Sequence, residues 1–130
     1  MLNENARLWV AALRSGRYEQ AKGFLHRAKG GYCCLGVACE VYMQSGGKLE
    51  KVTHTKVVTH TKVVTYDSSE KKLPLVVLNW LGLREPDGRY TGNSLVNMND
   101  RLGMTFARIA DLIESEPDGL FAPPPAGGPQ

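Results

Sequence analysis

Three cysteines in the stretch YCCLGVAC are the first residues whose types and spacing could do chemistry. Cys33 and Cys34 stand at the expected start of a helix, where the macrodipole favours a thiolate. A thiol nucleophile also needs a base, and the only histidine close in sequence is His26, which no spacing rule pairs with either thiol. Against catalysis stands the preference of cysteine for burial, and Cys39 shares an apolar helical face with Leu35 and Ala38. Zinc is not expected, because the spacing lacks ligands paired around a loop.

The stretch LRSGRYEQAKG gathers Arg14, Ser15, Arg17, Tyr18, Gln20 and Lys22 just past a helix end, where binding groups tend to sit. Arginine with tyrosine offers phosphate pairing and a stacking surface, although Arg14 could do no more than complement the helix dipole. NMND places Asn97, Asn99 and Asp100 in a short helix. Asn and Asp are poor helix formers, so their density asks for a reason, either capping and turn bonds or polar recognition of a ligand. The expected ligand set is Arg14, Arg17, Tyr18, Gln20, Lys22, Asn97, Asn99 and Asp100, with no catalytic residue, metal or cofactor. Trp9 and Trp80 read as core residues from the helical spacing around each.

THTKVVTHTKVV, from Thr53 to Val64, writes one hexapeptide twice. Its β-branched residues predict extended chain. A period of six is a multiple of two, so on one continuous strand both copies present the same side chains to the same face. Thr53, Thr55, Val57, Thr59, Thr61, Val63 and Thr65 then line one side, and His54, Lys56, Val58, His60, Lys62, Val64 and Tyr66 the other. His54 and His60 would stand about 20 Å apart, too far to share a metal with ligand bonds of about 2 Å. A hairpin would bring them together, but its turn falls on Val57, Val58, Thr59 and His60, none of which favours the positive φ of tight hairpin turns. The simplest reading is a tandem duplication that lengthened a projecting strand or hairpin arm over residues 48–66. A Lys and His stripe touching phosphates is compatible with it.

No Gly-rich phosphate loop, H-E-x-x-H, G-x-S-x-G or dinucleotide fingerprint occurs, which counts against catalysis. Hydrophobic content of 42% and charged content of 22% over 130 residues fit one folded domain rather than a disordered chain. No apolar run approaches the roughly 18 residues of a membrane span, and Asn3, Glu4, Asn5 and Arg7 do not make a secretory signal. A soluble cytoplasmic protein with reduced thiols is expected. The net charge of +3 hides an asymmetry. Residues 1–31 hold six Lys or Arg against two acids, residues 48–72 six against three, and residues 100–119 two against five. The first two segments attract an anionic partner, yet a dedicated nucleic-acid binder concentrates more basic charge on one element.

The elements that must position these residues follow from periodicity. Residues 4–15 place Ala6, Trp9, Val10 and Leu13 on one helical face, with Asn3 to cap and Gly16 to end it. HRAKGG predicts a hairpin of short strands. Residues 33–45 predict a mostly buried helix weakened by Gly36, with Leu35, Ala38, Cys39 and Tyr42 on one face. Pro74 suits the first turn of a third helix that Gly82 stops, and REPDGRYTGN is turn chemistry. Ser94 begins a short helix ended by Gly103, and Thr105 caps a last one carrying Phe106, Ile109, Ala110 and Ile113, with Met104 as a hydrophobic staple. The fold class is α+β, with about five short helices around a small antiparallel sheet and the Thr/Val-rich arm. Residues 1–121 form one domain, and 122–130, APPPAGGPQ, a disordered tail.

The stretches WVAALRSGRYEQAKG, YCCLGVACEVY, LPLVVLNWLGL and SLVNMNDRLGMTFARIADLIE together resemble a group of small proteins encoded by tailed bacteriophages, prophages and their bacterial hosts. The resemblance covers most of residues 5–121, has YCCLGVAC as its best marker, and assigns no catalytic residue. It implies a non-enzymatic accessory protein acting by stoichiometric binding in the host cytoplasm. The expected partner is a small anionic nucleotide signal of host defence, with Arg14, Arg17 and Lys22 on phosphate, Tyr18 stacking, and Asn99 with Asp100 reading ribose or base edges. A homo-oligomer suits that role. The alternatives are an inhibitor of a host protein working through a strand edge or apolar surface, and a thiol-dependent enzyme centred on Cys33 or Cys34.

Overall fold

Helix α1, Glu4–Arg14, begins where the Asn3 side chain accepts the Ala6 N–H at 2.8 Å, and it buries Ala6, Trp9, Val10 and Leu13. The computed structural model describes residues 2–123. Two helices pack on α1. In α2, Cys34–Gln44, the run Cys34, Leu35, Gly36, Val37, Ala38 and Cys39 is buried on every side. It is the mostly buried helix expected, with burial extending beyond the face of Leu35, Ala38 and Cys39. The Trp9 indole N–H donates to the Cys34 carbonyl at 2.9 Å and ties α1 to the first turn of α2. Along the other flank lies α5, Phe106–Glu114, whose cap is the Thr105 side chain accepting the Arg108 N–H.

Between them run α3, Leu75–Leu81, and α4, Leu95–Asp100. Pro74 is the N-cap of α3 rather than a first-turn residue, and Gly82 ends the helix at φ 76°. Asn3 and Asn5 side chains donate to the Leu81 and Trp80 carbonyls, so orphan carbonyls at the end of α3 are satisfied by the start of α1. The fourth helix stops at Asp100, with Arg101 as its C-cap, before the expected Gly103.

The main sheet has three antiparallel strands in the order β1-β3-β2: β1 His26–Arg27, β2 Lys51–Thr55 and β3 Lys62–Tyr66. The ribbon β4 Arg89–Tyr90 with β5 Asn93–Ser94 completes an α+β fold of five helices and small antiparallel sheets. Central β3 is buried from Val63 to Tyr66, whereas edge strand β2 is exposed throughout. The hairpin expected around HRAKGG exists only as a turn from β1 back to a single bridge between His26 and Tyr32; the true partner of β1 is β3.

The doubled hexapeptide is a hairpin, not a continuous strand. Thr53 pairs with Val64 and His54 with Val63, so the fold-back shifts parity. Thr53 and Thr55 share a face with Val64 and Tyr66, and His54 shares the other with Val63 and Thr65. The turn does fall on residues 57–60, and it closes because a four-residue loop asks positive φ of one residue only. That residue is His60, at φ 58°, one of the side-chain types most tolerant of the left-handed region. At the far end, the Ala122 N–H donates to the Gly82 carbonyl at 2.7 Å, so the expected tail is tied at its first residue. Residues 124–130 of it lie outside the described part.

No helix among the described residues is long and apolar enough to cross a membrane.

Candidate functional site

The expected ligand set does not converge. The Arg14 guanidinium is held by Asp111 at 2.6 Å and Glu114 at 3.1 Å, a fork that raises its pKa and depresses that of Glu114. Its charge already serves the α1–α5 contact. Asn99 is fully buried, donating to the Ala21 carbonyl at 2.8 Å and to Asp100 Oδ1 at 2.9 Å while accepting from Gln20 Nε2 at 2.8 Å. Gln20 also donates to the Met104 carbonyl and accepts the Phe106 N–H. Gln20, Asn99 and Asp100 are therefore a polar tie centred on buried Asn99 that fixes the 20–22 segment to the α4–α5 connection, with no edge of the Gln20 or Asn99 amide left for a ligand. Lys22 is exposed, and its carbonyl accepts from Arg27.

Arg17 and Tyr18 do line one hollow, of about 430 Å³, with Leu8, Ala12, Val41 and Gln44. Gln44 Nε2 donates to the Tyr18 hydroxyl at 2.7 Å, and the Tyr18 ring meets Tyr32 edge-on at 5.3 Å. This hollow sits at the C-terminal ends of α1 and α2, whose dipoles disfavour an anion. Arg17 is its one cation among the described residues.

The cysteines sit where burial favours the protonated thiol. Cys33, Cys34 and Cys39 are all buried. Burial pushes the Cys33 thiol up to about 12 and those of Cys34 and Cys39 well above their ordinary value, so desolvation overrides the helix-start effect. Cys34 Sγ lies 3.8 Å from the Leu95 carbonyl. His26 serves none of them. It stacks on Tyr32 at 3.9 Å and meets the Tyr66 hydroxyl through Nδ1 at 3.2 Å. Tyr66 gives its one proton to Glu40 Oε2 at 2.7 Å, so His26 supplies the proton of the remaining contact and carries it on Nδ1.

The arm's cations are also partly used. Lys51 pairs with Glu40 at 2.9 Å and Lys56 with Glu70 at 2.7 Å. Arg27, Lys56 and Lys71 surround the Phe24 ring at 5.0, 5.8 and 5.3 Å.

The residue types sought for an anionic ligand do meet elsewhere, in the turn-rich segment 84–94 and α4. Two adjoining hollows, of about 450 and 220 Å³, share Arg89 and Tyr90. The first adds Asn93, Ser94 and Asn97; the second adds Arg84, Glu85 and Thr91. The Arg89 side chain is 72% exposed and, among the described residues, its one ion pair is with Asp87, at 3.6 Å. Tyr90 is half-buried, which raises its pKa and keeps the hydroxyl protonated. Asn97 Nδ2 donates to Asn93 Oδ1 at 2.7 Å. Among the described residues that bond leaves the Asn93 amide N–H₂ and the Asn97 carbonyl oxygen without a partner, a donor and an acceptor of the kind a base edge uses. Of the expected set only Asn97 belongs here. The signal for Arg84, Arg89 and Tyr90 was present as cations and an aromatic in a glycine-bearing loop.

No curated protein and no solved structure matches the chain. A family model does, described as a domain of unknown function, DUF8296, and it covers residues 1–117. With nearly all of its described residues inside that match, the chain belongs to the DUF8296 family.

Proposed function

We propose that this chain binds a small anionic ligand and holds it without transforming it, the natural candidate being a nucleotide signal of host antiviral defence in the cytoplasm of a phage-infected bacterium. The seat is the surface of Arg84, Arg89, Tyr90, Asn93 and Asn97, in place of the loop after α1. One observation carries the reading: two arginines flank one tyrosine across adjoining hollows, beside an asparagine pair with a donor and an acceptor unused among the described residues. Arginine supplies phosphate pairing, tyrosine a stacking face, and the amides a base-edge contact. The combined space suits a ligand of nucleotide size. Sequestration rather than turnover is supported by the high thiol pKa values, which leave Cys33 and Cys34 without a thiolate.

The test is retention. The protein is incubated with a panel of mono-, di- and cyclic nucleotides, filtered, denatured, and the released material separated by chromatography. Intact nucleotide is expected from wild type and from Arg17→Ala, and none from Arg89→Ala combined with Tyr90→Ala. Release of an altered nucleotide would mean an enzyme. Absence of retention from wild type would move the reading to an inhibitor of a host protein.

A further inference from the structure

Strand β2 ends the sheet, and among the described residues its outer edge is open. The backbone bonds from Lys56 N–H to the Thr61 carbonyl and from Asp67 N–H to the Glu50 carbonyl, both 2.8 Å, show which cross-strand pairs are hydrogen-bonded. Alternation then turns the amides of Val52 and His54 toward β3 and leaves the N–H and C=O of Lys51, Thr53 and Thr55 directed outward. Every residue of the strand is exposed. Such an edge is a template for another strand, and lysine side chains commonly guard it. Here Lys51 is drawn to Glu40 on one face of the sheet and Lys56 to Glu70 on the other.

We propose that the edge is occupied by a second copy of this chain, paired antiparallel about a two-fold axis at Thr53. Thr53 directs both its backbone groups outward, so the axis passes through a hydrogen-bonded Thr53–Thr53 pair, flanked by Lys51 against Thr55 in both directions. Complementarity selects this register. Lys56 of one copy stands opposite Glu50 of the other on the same face, and Val52 opposite His54. The neighbouring registers that keep the same groups outward are worse. An axis at Lys51 sets Lys51 against Lys51, like charges directly opposed being destabilising, and an axis at Thr55 carries the ladder into the turn at residues 57–60. The two sheets become one, with β2 at its centre in both copies and no open edge beside it.

The charge pair and the edge amide give independent tests by sedimentation velocity across a concentration series. Wild type should shift from monomer to dimer. Thr53→Pro removes an N–H that no bond among the described residues uses, at an edge position where proline is tolerated, so its far-UV circular dichroism and melt should match wild type while the dimer dissociation constant rises at least about tenfold. Glu50→Lys and Lys56→Glu should each be monomeric alone, because the first opposes two lysines and the second two glutamates. Mixed in equal amounts they should dimerise, since both interface pairs are then opposite in charge. A wild type that stays monomeric, a Thr53→Pro chain that still dimerises, or charge variants that stay monomeric when mixed would each overturn the proposal.

Discussion

Gly36, at the centre of YCCLGVAC, offers a sharp test of how this core is built. By helix propensity alone, Gly36→Ala should stabilise α2 by about 1 kcal/mol. The structure predicts the opposite. A Cβ on Gly36 would stand 1.8 Å from the Leu25 carbonyl oxygen and 2.7 Å from its carbon, where real Cβ contacts essentially never fall below 3.0 Å. The obstacle is backbone, and that carbonyl accepts the Cys33 N–H at 3.1 Å, so it cannot swing aside without breaking a bond at the start of the same helix. Overpacking a core by one methyl costs about 1–3 kcal/mol where side chains can adjust. Here the lost hydrogen bond adds about 1 kcal/mol, and the net destabilisation expected after the propensity gain is about 2 kcal/mol. With a urea slope of about 1–3 kcal/mol/M the midpoint should fall by roughly 1–2 M, and the melting temperature by about 10 °C. Urea denaturation followed by tryptophan fluorescence measures it. A variant as stable as wild type, or more so, would refute the close approach of α2 to the chain at Leu25.

Two further outcomes follow from buried polar groups. Asn99→Ala strips Gln20 and the Ala21 carbonyl of a buried partner and should cost about 2 kcal/mol in urea denaturation while leaving ligand retention intact; loss of retention with unchanged stability would restore Asn99 to the ligand. His26 has a pKa lowered from its usual 6.5 by burial, then by Lys51, with Glu40 opposing. The folded state therefore binds that proton less readily than the unfolded one. Its contribution to stability is complete above about pH 6.5 and is lost as pH falls through the folded value. Thermal melts should show wild type losing more stability than His26→Gln between neutral and mildly acidic pH, and parallel curves would contradict the assignment.

What could be read from the sequence was local. The α1 and α5 faces and the Asn3 and Thr105 caps depend on neighbours a few residues away, and both helices stand where periodicity put them. What could not be read was who partners whom across the chain. Arg14, Gln20 and Asn99 have the types of ligand groups, but their partners lie at Asp111, Met104 and Ala21, where no local pattern links them. Arg89 and Tyr90 looked like turn residues because their meeting with Asn97 in one hollow and with Arg84 in the next depends on how the chain packs around α4. For the arm, the turn was located correctly over 57–60, but its cost was judged by the rule for two-residue turns, and one histidine met the demand of a longer one.

That histidine makes the arm sensitive to copy number. Adding or deleting one THTKVV unit while the base of the hairpin keeps its pairing moves the midpoint by three residues, and the last position of the tip, now His60, becomes a valine. β-branched residues resist the left-handed backbone that position requires. Two units more would return histidine to the apex on arms longer by about 20 Å. Replication slippage in this gene should thus tolerate even numbers of the unit and penalise odd ones.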